Sequence, residues 1–292
     1  MDVSFLIVTR QRPDDLRLTL SRLSEWVDTC DAEILVFIDG CWETREVKKE
    51  FPMVRWFSSE KQLGASPARR RLYPEANGRV LIGLDDDAHP VTPDFLSIID
   101  QKFGDETVGL LVFREIKGIF PNDQACLDKA GPAGPEYRTA DFIGSGFAIR
   151  RQVYHETRGF PEWIDIYGEE TCVAFEVLEN GHDLLYVPSI VINHRVDMEK
   201  RRRTGRNYFR FERQLRNSFF IFLVYYRYPL RRMLRLLLHN FRKYAVRDRA
   251  YFSAYCRAVA TMVWRTPAVF RFRKPLGAAT ENKIKSLDGI PY

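Results

Sequence analysis

Three apolar runs rich in β-branched residues set the frame of this chain: VSFLIVT (3–9), AEILVFID (32–39) and RVLIGLDDD (79–87). Each is nearly continuous in its apolar character, as in a strand covered on both faces. Between the first two lies RPDDLRLTLSRLSEWV, where Leu16, Leu20, Leu23 and Val27 recur at helical spacing. Pro13 and Asp14 suit its start. The alternation continues with a strand over 53–59, a helix over 66–76, a helix over 92–103 and a strand over 108–115. Buried strands separated by helices form an α/β sheet, largely parallel. Residues 116–140 hold clustered Pro and Gly and read as a loop. DLLYVPSIVINH (183–194) reads as a strand pair or one bent strand ending at His194.

Ligands of such sheets bind beyond the carboxyl ends of the strands. Here those ends are acidic: Asp39 closes the second strand, and Asp85, Asp86 and Asp87 close the fourth. Carboxylates at i and i+2 of an extended segment share a side. Asp85 and Asp87 would then suit a hard divalent cation shared with phosphate oxygens. The competing reading is a solvated turn, with Pro90 ending the strand.

Charge is unevenly distributed. Residues 200–274 contain 21 Lys and Arg against Glu212 and Asp248, about +19, whereas residues 1–199 sum to −13. An acidic body with a basic C-terminal region implies a polyanionic partner for that region. Leu230, Met233, Leu234, Leu237, Leu238 and Phe241 follow helical spacing with arginines between them, as in a basic amphipathic helix. Such a helix fits an anionic membrane surface. A lid on the catalytic unit is the second reading and nucleic acid the third; the membrane is favoured, with no nucleic-acid partner expected. The five cysteines are widely spaced, with no CxxC, and fit a reducing compartment rather than a disulfide framework. MDVSFLIVTRQRP lacks the pattern of a secretory signal, and FFIFLVYY (219–226) is too short to span a bilayer. The expected location is therefore cytoplasmic, at the inner face of a membrane.

Five segments resemble family 2 glycosyltransferases, in that family's order over about 1–195. They are FLIVTRQRPDDLRLTLSRL, FIDG, LGASPARRRLYPEANGRVLIGLDDDAHP, DFIGSGFAIRR and YGEETCVAFEVLENGHDLLYVPSIVINH. The resemblance implies an α/β fold of the GT-A type over 1–198, with a basic helical region over 199–292. It implies inverting transfer of a sugar from a nucleotide-diphospho-sugar to a glycan or lipid-linked acceptor, in cell-surface polysaccharide synthesis. UDP is the default nucleotide, with dTDP and GDP as alternatives, and Mg²⁺ or Mn²⁺ is the cofactor.

Carried over by resemblance, Asp39 binds the base, and Thr9 and Arg12 line the nucleotide pocket. Asp85 and Asp87 hold the metal, with Asp86 between them, and Arg69 sits near the phosphates. Gly144, Ser145 and Gly146 face the acceptor. Glu170 stands at the position of the general base, where the family has Asp, and Glu169 beside it leaves the choice between the two open. His194 stands where some relatives complete the metal site; a structural histidine is the alternative. A sugar-nucleotide nucleotidyltransferase is a competing function, although IVTRQRPDD has no glycine for its phosphate loop. A non-catalytic nucleic-acid-binding protein is another, but it leaves the acidic clusters unexplained.

Overall fold

The structure, a computed structural model, describes residues 2–27, 30–199, 203 and 205–290. The N-terminal half is built as its apolar runs dictate: β1 (Val3–Thr9), α1 (Pro13–Val27), β2 (Ala32–Asp39), β3 (Arg55–Ser59), α2 (Ala65–Leu72) and β4 (Val80–Asp85). β1, β2, β3 and β4 pair in parallel. Alternate side chains of β1 serve opposite faces. Phe5 and Ile7 pack with Leu16 and Leu20 of α1, while Leu6 packs with Leu72 of α2.

Next come β5 (Ala88–Pro90), α3 (Phe95–Lys102), β6 (Val108–Lys117), α4 (Asp123–Ala130), β7 (Tyr137–Thr139), β8 (Gly146–Arg150), α5 (Arg151–Glu156), α6 (Glu169–Glu179) and β9 (Asp183–His194). Strand order is β3-β2-β1-β4-β8-β6-β9-β5, with β7 on β9. β8 runs antiparallel between β4 and β6, and β9 runs parallel to β6.

Three local expectations change. β4 ends at Asp85, so Asp86 and Asp87 lie in a turn rather than on an extended strand. Pro90 does not end the sheet: β5 pairs antiparallel with β9, setting Ala88 opposite His194. The stretch 116–140 is not all loop, because α4 and β7 form within it. α4 is capped by the Asn122 side chain, which accepts from the Ala125 amide, and it buries Cys126 and Ala130. Flanking Pro and Gly hide so short a helix. β9 is one strand whose register on β6 slips between Phe113↔Val187 and Arg114↔Val191, which is the bend at Pro188.

The C-terminal region is helical: α7 (Tyr208–Tyr225), α8 (Leu230–Lys243), α9 (Arg249–Phe270) and α10 (Ala278–Ser286). It shares an apolar core with the sheet unit, in which Phe220 and Val224 of α7 and Met262 of α9 meet Ile164, Cys172 and Phe175. Arginine adds to the joint: half-buried Arg213 and buried Arg216 of α7 both pair with Asp165. Among the described residues no helix is long and apolar enough to cross a membrane.

Candidate active site

The register of β9 builds one end of the site. His194 stands opposite Ala88 of β5 and Lys117 of β6. Its ring therefore falls between Asp87, which precedes β5, and Glu115, two residues before the end of β6. Nδ1 contacts Glu115 Oε1, and Nε2 lies 3.1 Å from Asp87 Oδ1. Asp85, Asp87 and His194 offer ligand atoms all within 4.8 Å of one another.

Whether these residues fit a cation is decided at Asp87 Oδ1. It is buried and, among the described residues, meets the geometry of no hydrogen bond, with His194 Nε2 3.1 Å away. Two ligands at about 2.1 Å on adjacent corners of an octahedron stand about 3 Å apart. The Asp87–His194 spacing matches that separation. Two carboxylates and an imidazole suit Mn²⁺ or Mg²⁺, the imidazole favouring Mn²⁺.

Glu115 is a site residue that sequence reading passed over. Its side chain is buried, accepts from Ser145 Oγ at 2.9 Å, pairs with Lys117 Nζ at 2.8 Å and meets His194. Burial raises its carboxyl, but His194 and Lys117 override this and hold it down at about 2. It orients the imidazole as an outer carboxylate orients a metal-bound histidine. Burial lowers His194, yet its contacts with Asp87 and Glu115 lift it to about 10. Without metal, His194 is thus protonated at neutral pH, and ligation requires its neutral form. Mn²⁺ binding at pH 7 is therefore expected to release about one proton, with apparent affinity rising about tenfold per pH unit up to pH 9. Calorimetry in buffers of different ionisation enthalpy reads that proton; a release of zero would leave His194 a structural residue.

Arg69 builds the other end. It projects from α2 into the core, buried, and its guanidinium spans two elements. Nη2 reaches Asp85 Oδ1 at 3.0 Å; Nη1 reaches Glu170 Oε1 at 3.0 Å and Glu169 Oε1 at 3.2 Å. Burial works against its charge, but the three carboxylates hold it protonated. Sequence reading expected Arg69 beside the phosphates; the structure places it as the bridge between the acidic turn after β4 and the first turn of α6.

Glu169 and Glu170 separate by environment. Glu169 is 2% exposed and its Oε2 has no hydrogen-bond partner among the described residues. Burial, then the neighbouring charge of Glu170, raises its carboxyl well above the usual range. Glu170 instead lines a cleft of about 1030 Å³ between the sheet unit and helices α7 and α8. Gly144 lines it too, and a Cβ there would stand 2.4 Å from Arg69 Nη2 and 2.6 Å from Glu170 Oε1. Of the three expected acceptor-side residues, only Gly144 faces the cleft. The Ser145 hydroxyl is committed to Glu115, and Gly146 packs beneath against Ile192.

On the nucleotide side, Thr9 Oγ1 donates to Asp86 Oδ2 at 2.7 Å, and Arg12 reaches Asp86 and Asp87 at 3.1 and 2.8 Å. Burial lifts Asp86 to about 7, although Arg12 and Thr9 oppose it. Thr9 is buried beneath this turn. Both oxygens of Asp39 accept backbone amides, from Leu63 at 2.6 Å and Gly64 at 3.0 Å, so Asp39 shapes the entry to α2. Arg195 is a further residue that sequence reading missed. It donates to the carbonyls of Asp15 and Asp86 and to Thr19, locking the acidic turn onto α1.

The family model "Glycosyl transferase family 2" matches residues 4–158, more than half of the chain. The chain belongs to glycosyltransferase family 2. It is a glycosyltransferase, and the nucleotidyltransferase and non-catalytic readings give way. No curated protein matches it. Among solved structures, GalNAc-T7 with UDP, GalNAc and Mn²⁺ is similar at 17% identity and TM-score 0.63, over 91% of this chain and 54% of that one. This chain thus spans about half the length of that relative. The mannosyltransferase PcManGT of Pyrobaculum calidifontis, with GDP-Man and Mn²⁺, is similar at 16% identity and TM-score 0.58, over 97% and 83%. S. aureus TarS 1–349 with UDP-GlcNAc is similar at 12% identity and TM-score 0.58, over 94% and 84%. The fold shared by this family 2 chain and these structures is the GT-A fold.

Proposed function

We propose that this family 2 enzyme transfers a sugar, with inversion, from a nucleotide-diphospho-sugar to a hydroxyl of a glycan or lipid-linked acceptor in surface polysaccharide synthesis. The observation that carries this reading is the Arg69 bridge. One guanidinium ties Asp85 of the cation set to Glu170 of the cleft. Leaving-group chemistry and acceptor chemistry therefore meet within one side chain's span.

Asp85, Asp87 and His194 would hold a divalent cation, which when bound supplies Lewis-acid stabilisation of the departing diphosphate. Glu170, at the wall of the cleft, accepts the proton of the attacking hydroxyl. Inversion requires that hydroxyl to approach opposite the leaving group. Arg69 fixes Glu170 in place, and Glu169, whose carboxyl burial raises well above the usual range, stays behind it. Arg12 has half its side chain in solvent beside Asp86 and Asp87 and is free to turn to a phosphate. Asp39 retains lone pairs beyond its two amide bonds and is assigned to the base.

Structural neighbours carry uridine and guanosine nucleotides, so the base is set by experiment. Melting of the protein with Mn²⁺ and UDP, dTDP or GDP is expected to rise with one of them. At a concentration of 100 Kd the stabilisation is about 2.7 kcal/mol, or several degrees. The rise should vanish without metal. No rise with any nucleotide in the presence of Mn²⁺ would sink the donor assignment.

A further inference from the structure

The outer side of α8 carries an apolar line that the described residues leave exposed. Leu230, Leu234, Leu238 and Phe241 share one helical face and are 72, 66, 49 and 37% exposed. Met233 and Leu237, at the adjoining edge of the same sector, join the core with α7. The apolar sector of α8 is thus wider than its packing needs, and half of it meets solvent.

The neighbouring sector is basic. Arg231, Arg235, Arg242 and Lys243, with Arg247 just beyond, form no ion pair among the described residues. Arginines of α7 behave differently, since Arg213 and Arg216 are spent on Asp165. Arg235, His239, Arg242, Lys243 and Arg247 line a depression of about 500 Å³. His239 also lines the cleft that holds Glu170. The basic surface and the cleft therefore adjoin.

We infer that this face docks on an anionic lipid bilayer. The leucines and Phe241 enter the acyl boundary, and the basic side chains take the headgroup phosphates, as for an interfacial amphipathic helix. Docking places the cleft, walled by the same helix, at the lipid interface. Two other occupants fit less well. In a symmetric pair the same patch meets itself, which would set arginine against arginine. A nucleic acid would satisfy the cations and leave four apolar side chains in water. The inference stands on surface chemistry and is independent of donor and base.

Sedimentation with phosphatidylcholine vesicles, with and without phosphatidylglycerol, tests it without any substrate. The full chain is expected to pellet with phosphatidylglycerol vesicles, to stay in solution with phosphatidylcholine alone, and to be weakened by salt. Arg235→Gln with Arg242→Gln should weaken partition about 30-fold. Leu234→Ser with Leu238→Ser should weaken it by about 100-fold or more. All four positions are exposed, and unchanged melting temperatures would show that folding is kept. Failure of the full chain to bind, equal binding to neutral vesicles, or undiminished binding by either double variant would overturn the inference. So would a wild-type dimer that the leucine variant converts to monomer.

Discussion

Glu170→Gln lowers kcat by about 10²–10⁴-fold while the nucleotide still binds, as read by the melting shift with Mn²⁺. The amide keeps the length of the side chain and its contact with Arg69, so what is lost is the ability to take a proton. Glu169→Gln is the control. Its carboxyl is buried beside Glu170, and burial raises it well above the usual range. Burial thus favours its protonated form, of which Gln is a near equivalent. The change in kcat should stay within a few-fold. Stability moves the other way. A raised folded pKa means that the folded chain keeps a proton which the unfolded chain loses above about pH 4.3. Stability from this group is complete below that pH and declines as pH rises toward the folded value. Glu169→Gln removes the decline, so the variant should melt higher than wild type at pH 7 to 8 and alike at pH 4. A dead Glu169→Gln beside an active Glu170→Gln would exchange the two roles.

The difference between these neighbours was not readable in the sequence. Their adjacency at a helix start was plain, but the choice depends on which carboxylate α6 turns into the cleft, and α7 and α8 form the far wall of that cleft. The apolar runs that became β1, β2 and β4 were legible because burial on both faces leaves an unbroken signature. α4 was not, because eight residues between Pro and Gly carry too few apolar positions for a period. Asp85, Asp87 and His194 could be named by resemblance, yet their meeting rests on β5, a three-residue strand ending in Pro90 that reads as a terminator. Glu115 had one faint signal, a carboxylate near the carboxyl end of a buried strand. Its importance appears only from the pairing of β6 with β9. Arg69 was visible as a candidate, but its place was not: a buried guanidinium between three carboxylates is a three-dimensional fact. The basic C-terminal region shows the same limit. Its composition allowed membrane or lid; in the structure α8 walls the cleft with one side and leaves leucines exposed on another.

Asp87→Asn should cost about 10³-fold or more in metal-dependent kcat/KM, since a bound cation contributes several kcal/mol to charge stabilisation. Of the two proposed carboxylate ligands, Asp87 is the one not shared with Arg69. Asp85 is shared with Arg69, whereas Asp87 Oδ1 is buried without a hydrogen-bond donor and lies 3.1 Å from His194 Nε2. The fold should persist, because the Asp87 backbone carbonyl, which accepts from the Arg195 amide at 2.8 Å, is untouched. Melting without metal tests this: wild type and variant should be close, and only wild type should rise with Mn²⁺ and nucleotide. Glu115→Gln separates a ligand from its support. Loss of an outer carboxylate typically weakens metal binding 10–100-fold, so excess Mn²⁺ should restore Glu115→Gln and leave Asp87→Asn inactive. Rescue of both by excess metal would make Asp87 a support like Glu115. Full Mn²⁺-dependent turnover in Asp87→Asn would move the cation away from the turn after β4, and the acidic cluster would then be balanced by Arg12, Arg69, Arg195 and His194.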